Sequence, residues 1–211
     1  MRVVALGALA AVVLRPVALV AQEVPVLPLS IALTREGDEP VVDAGWLDLE
    51  VGSANRLFLP HGVCFRVVST RFLAPQEAPP ALETRADRHA LGRLLLDSVI
   101  NVFVVATLRD VDDPSLFRMG VHWRPRGRRG KHFVILSSDA MPTTLAHELG
   151  HFFGNPHTRV AKNLMSYVGR GATSSFDERQ ARRIRSHALR FLRSGELRPP
   201  PGEACPASPG P

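Results

Sequence analysis

Residues 147–157 read HELGHFFGNPH and bring together side chains that can do chemistry at one point. On an α-helix each residue advances by about 100°. His147 and His151 are four apart, so they sit one turn apart on the same face, where two imidazoles can grip one ion. Glu148 follows the first histidine and can reach a water beside the ion without being a ligand. Gly154, three residues past His151, can take backbone angles that let the chain leave the helix sharply. His157 comes three residues later and can return to the same ion. Three neutral nitrogen ligands leave a fourth position open, the arrangement of a catalytic zinc and not of a structural one. The expected cofactor is one Zn2+.

Zinc so held lowers the pKa of bound water from about 15.7 towards about 7. Glu148 would take the proton as the water attacks an amide carbonyl and pass it to the leaving amine. The pattern itself does not restrict the amide, so a non-protein amide stands beside a peptide bond as substrate. His61, His89, His122, His132 and His187 lack ligand spacing and read as structural or exposed.

The elements around this segment must place it. Leu29–Thr34 reads as a strand and Glu36–Pro40 as a polar turn. Ala44, Leu47, Val51, Ala54 and Phe58 recur at helical spacing, with Asp43 as N-cap and Gly52 as a weak point. Pro60–Gly62 ends that helix before a β-rich run, Val63–Val68. A proline-rich loop over 74–83 precedes an expected helix from Thr84 to Asp97. Asn101–Thr107 and His132–Leu136 are near-continuous apolar runs, as in strands buried on both faces. Met119–Arg124 reads as a short edge strand. The zinc helix is expected over Pro142–Phe153. Ser175 and Glu178 fit a capping box for a last helix whose apolar face holds Ile184, Ala188 and Phe191.

The histidine segment, followed by NLMSY at 163–167, resembles the metzincin metalloendopeptidases, most closely their bacterial pappalysin-like and matrixin-like members. The resemblance implies an α+β, zincin-like fold: a mixed five-stranded sheet, an active-site helix, a Met-turn and a C-terminal helix. It covers roughly Leu29 to Leu192, with the 84–97 helix as an insertion. It implies that Met165 is the Met-turn methionine, packed beneath the metal and not bound to it. It also implies that Tyr167 can approach the metal and stabilise the transition state, as in astacins and serralysins; otherwise Tyr167 merely packs. The expected activity is zinc-dependent endopeptidase, with a protein or peptide substrate and a monomeric enzyme.

Composition frames this reading. The 211 residues suit one catalytic domain, placed at 22–197. Residues 1–21, an apolar run broken by Arg15 and Pro16, read as a secretory signal peptide and predict a secreted protein, extracellular or periplasmic. No other stretch is long enough to span a bilayer. Residues 198–211 read as a disordered proline-rich tail. Cys64 and Cys205 are either a disulfide or two free thiols. The net charge of +6 allows a basic, polyanion-binding secreted protein as the alternative function. The segment Arg124, Arg126, Arg128, Arg129 and Lys131 lacks the interleaved aromatics that stack bases, so nucleic acid is not an expected partner. That segment is either a basic rim favouring acidic substrates or a solvated loop.

Overall fold

The computed structural model describes residues 24–126, 131–168, 173–202 and 205. The expected signal peptide at 1–21, Arg128 and Arg129 of the basic segment, and the tail residues 203–204 and 206–211 lie outside the described residues.

The chain opens with strand β1 (Val26–Glu36), which turns through Gly37 into the two-residue strand β2 (Glu39–Pro40). Helix α1 (Ala44–Phe58) follows, capped by Asp43, whose carboxylate accepts from the Trp46 amide at 2.7 Å. Strand β3 (Cys64–Leu73) returns alongside β1. Then come the short strand β4 (Ala81–Leu82), helix α2 (Arg85–Ala90), strand β5 (Ile100–Val105), the short strand β6 (Thr107–Leu108), edge strand β7 (Gly120–Trp123) and strand β8 (Phe133–Ser137). Helices α3 (Thr144–Phe152) and α4 (Glu178–Ser194) complete the order.

The five principal strands lie in the order β3-β1-β5-β8-β7, and β2 adds a sixth to the end of β1. Among the five, all neighbours are parallel except β7, which runs antiparallel to β8; β2 is antiparallel to β1. Every residue of β5 and β8 is buried, as their unbroken apolar runs require of strands covered on both faces. On one face α1, α3 and α4 close a core around Phe58, Phe65, Phe153 and Phe191. On the other, Leu82, Leu91, Phe103 and Phe133 pack beneath the 74–95 segment. Among the described residues no helix is long and apolar enough to cross a membrane.

Two expectations need correction. The helix expected over 84–97 stops at Ala90, continues as a 3-10 turn over Leu91–Leu94, and ends at an extended Leu95. Gly92 weakens it, and the Asn101 side chain bonds the backbone N–H and C=O of Leu96 at 2.9 Å each, which pulls the chain out of helical pairing. The capping box of the last helix is also two residues later than Ser175–Glu178. Asp177 accepts from the Gln180 amide at 2.8 Å, and the Gln180 side chain accepts from the Asp177 amide at 2.9 Å. The amide of glutamine closes the box as well as a carboxylate does.

Cys64, at the start of β3, is bonded to Cys205, 141 residues away, which resolves the two cysteine readings in favour of a bridge. Arg66 also donates to the carbonyls of Pro201 and Gly202, so this part of the chain lies along β3.

Candidate metal centre

Helix α3 is buried along almost its whole length and brings Glu148 and His151 to the floor of a cleft of about 500 Å³ beside β7, with His147 buried behind them. Its first turn has no cap from Thr143. Glu50, buried in α1, accepts instead from the Leu145 amide at 2.9 Å, placing a carboxylate at the positive end of the helix. Nothing in the local pattern around Glu50 marks it for this task, since a tertiary cap leaves no spacing signal.

The chain leaves α3 through Gly154, whose φ of +83° suits glycine alone among common residues. The Asn155 amide closes the turn onto the Gly150 carbonyl at 3.0 Å, and His157 comes back over the helix. The three Nε2 atoms then converge: His147 to His151 3.2 Å, His147 to His157 3.3 Å, His151 to His157 2.9 Å. A tetrahedral zinc about 2.05 Å from each nitrogen needs them roughly 3.3 Å apart. The histidines therefore fit one such ion, and they form the one His, Cys, Asp or Glu cluster of this kind among the described residues.

The other ring nitrogens fix the aim. His147 Nδ1 lies 2.7 Å from the Leu164 carbonyl and His151 Nδ1 2.8 Å from the Asn155 carbonyl. A carbonyl can only accept, so each Nδ1 carries the proton and each Nε2 presents a lone pair. The Asn155 carbonyl is thus a support that the histidine motif hides inside its variable positions. Its side-chain amide is buried, and neither polar atom has a partner among the described residues.

Met165 is fully buried against Gly150 of α3. A Cβ on Gly150 would lie 2.4 Å from Met165 Sδ, so only glycine at that helical position lets the methionine approach. The turn is tied to α4 by a reciprocal amide pair. Asn163 Nδ2 donates to Gln180 Oε1 at 3.0 Å, and Gln180 Nε2 donates to Asn163 Oδ1 at 3.1 Å. Asn163 Oδ1 also accepts from the Met165 amide at 2.9 Å. The sequence reading missed Asn163 and Gln180, because neither has a motif spacing of its own.

Tyr167 is exposed at the cleft, its ring 4.5 Å from that of His157 and 5.9 Å from that of His147. Glu148 is buried and also lines the cleft. His122 and His132 form a separate pair, Nε2 to Nδ1 at 2.7 Å. Burial first, then neighbouring positive charge, holds His122 down at about 2 and His132 at about 3, so both rings are neutral.

Comparison with solved structures places this geometry among known folds. The chain superposes on mature mirolysin of Tannerella forsythia, solved with a cleaved peptide, with a TM-score of 0.60 at 11% identity, over 83% of this chain and 94% of that one. Metalloproteinase-II of Bacteroides fragilis gives 0.54 at 13% identity, covering 78% of this chain, which spans about half (53%) of that protein. Archaemetzincin of Methanopyrus kandleri gives 0.50 at 18% identity, over 77% of this chain and 96% of that one. The fold is zincin-like. That is the architecture the metzincin resemblance implied, with the histidine cluster at its centre. No protein-family model matches the sequence, and no curated protein matches it.

Proposed function

We propose that the chain is a secreted zinc-dependent endopeptidase that acts as a monomer. The observation that carries this reading is the convergence of three Nε2 atoms beside a buried Glu148, at a cleft that runs along an open sheet edge. When bound, a zinc ion in such a site acidifies water and polarises a carbonyl. His147, His151 and His157 would hold it. Glu148 accepts a proton from the attacking water and returns it to the leaving amine. The Tyr167 ring lies 4.5 Å from that of His157, and its hydroxyl would donate to the developing oxyanion. Among the described residues β7 pairs only with β8, so its outer backbone groups can take an extended peptide as an added strand. The cleaved peptide bound to mirolysin supports a peptide substrate here. The apolar 1–21 segment and the Cys64–Cys205 bridge support export, because such bridges persist in oxidising compartments.

The test is cleavage of casein and peptide libraries by the zinc-loaded protein, with a chelated sample and Glu148→Gln alongside. Chelation should abolish turnover, and Glu148→Gln should retain zinc while losing at least about a hundredfold in rate. Full activity in either sample sinks the proposal.

A further inference from the structure

The cleft along β7 has two ends, and their charges balance differently. Towards residues 108–118 the charges are matched. Arg118 pairs with Asp110 and Arg85 with Asp112, while Arg88 donates to the Arg109 carbonyl and lies over the Trp123 ring.

The other end is unmatched. Side chains alternate along a strand, so Gly120 and His122 share the face turned to α3, and Arg124 follows directly after β7. A Cβ on Gly120 would lie 2.9 Å from Glu148 Cγ, which puts this end of the stripe against the base. The His122 ring lies 5.9 Å from that of Phe152, one helical turn on. Arg124 comes next, exposed and lining the cleft, and makes no direct ion pair among the described residues. Arg183 of α4 donates to the carbonyl of Gly154, another cleft-lining residue, at 3.2 Å. Arg190 stands one turn of α4 beyond His187, over the Phe191 ring. His187 packs against Gly154 beside Arg183, since a Cβ on Gly154 would lie 2.7 Å from the His187 ring and 3.7 Å from Arg183 Cδ; burial, then the positive charge of Arg190, Arg183 and Arg124, hold its pKa below the ordinary value. The carboxylate that feels Arg190 and Arg124 there is Glu196, itself 3.5 Å from His132. Lys131 also acts on Glu196 and is itself paired with Asp97, so four cations stand here with two acids.

We propose that this end of the cleft is a subsite for a carboxylate side chain of the substrate, an Asp or Glu contacted by Arg124 with Arg183 behind it. The proposal rests on the peptidase reading and names a substrate class for it. Arg124 is four residues from Gly120, about 13 Å along an extended strand, and its side chain reaches back over roughly half of that. The acidic residue therefore lies two to four residues from the cleaved bond, on one side only.

Acetylated, amidated nonapeptide pools, each with one position fixed as Glu or Gln, test this in two ways. Cleavage by the zinc-loaded wild type is profiled, and binding of the same pools to the zinc-loaded Glu148→Gln protein is measured by fluorescence anisotropy. Glu should be preferred over Gln at one position, by roughly three- to tenfold. Arg124→Ala should bring the ratio to about one, and Arg124→Glu should invert it. Arg182→Ala, which removes an equal charge from the outer face of α4, should leave it unchanged. A flat Glu-to-Gln ratio in binding, or a preference that survives Arg124→Ala, overturns the subsite. Acidic preference in binding without any cleavage keeps the subsite and defeats the peptidase reading.

Discussion

The histidines of the 147–157 segment and the pair His122–His132 are alike in one respect. In each group ring nitrogens approach within hydrogen-bonding distance, 2.9–3.3 Å in the first and 2.7 Å in the second. They differ in what the remaining nitrogens do. In the first group two Nδ1 atoms are spent on backbone carbonyls, so the Nε2 lone pairs point at a common centre. In the second, one ring bonds the other, which consumes a lone pair. His132 also stacks on Phe152 at 3.9 Å and turns its far nitrogen to Glu196. Proximity of imidazoles is therefore not a metal site; the destination of the second nitrogen decides.

The sharpest way to break this comparison is to delete one ring from each group. His151→Ala should lose stoichiometric zinc altogether, a far larger effect than the about 10–100-fold typical of losing a supporting hydrogen bond. His132→Gln should keep one zinc per chain. Elemental analysis after gel filtration measures both. Zinc retained in the first variant, or lost in the second, would dissolve the distinction.

The next largest effect is on stability against pH. His132 and His122 are held at about 3 and about 2, against 6.5 for a free imidazole. Their folded pKa values are depressed, so below 6.5 the unfolded chain binds more protons than the folded one. Stability then falls as pH drops from 6.5 towards 3. Between pH 6.5 and 5 the pair should cost at least about 2 kcal/mol. Denaturant melts of wild type and His132→Gln over this range should show a shallower acid slope in the variant. Equal slopes would mean that the pair does not stay neutral.

The contrast also explains what could be read from the chain. The convergence of His147, His151 and His157, the turn at Gly154 and the burial of Met165 were legible because their spacing is local: helical period, turn and short return. Helix α1 was legible to both ends, since Asp43 and Pro60 punctuate it. The supports were not. Glu50 caps α3 from 95 residues away, and Gln180 meets Asn163 across 17. Such partners are set by tertiary packing, which leaves no period in the sequence. The capping box was misplaced for a related reason: Ser175 and Asp177 are both competent caps, and only the packing of the Met-turn against α4 chooses between them.

The smallest effect predicted here concerns that choice. Asn163 is buried, accepts from the Met165 amide, and exchanges two hydrogen bonds with Gln180. Asn163→Leu removes the pair's inner half and leaves the Gln180 amide and the Met165 N–H without their acceptor. Each such orphan costs about 1–3 kcal/mol, but Gln180 keeps its bond from the Asp177 amide and can relax towards the helix end. The net loss should be about 2 kcal/mol by denaturant titration. The ligands themselves are untouched, so zinc stoichiometry should stay at one while the affinity weakens, through His147 Nδ1 and its acceptor Leu164, the residue next to Asn163. If Asn163→Leu is as stable as wild type and binds zinc as tightly, the Met-turn is positioned by apolar packing around Met165 and not by this amide pair.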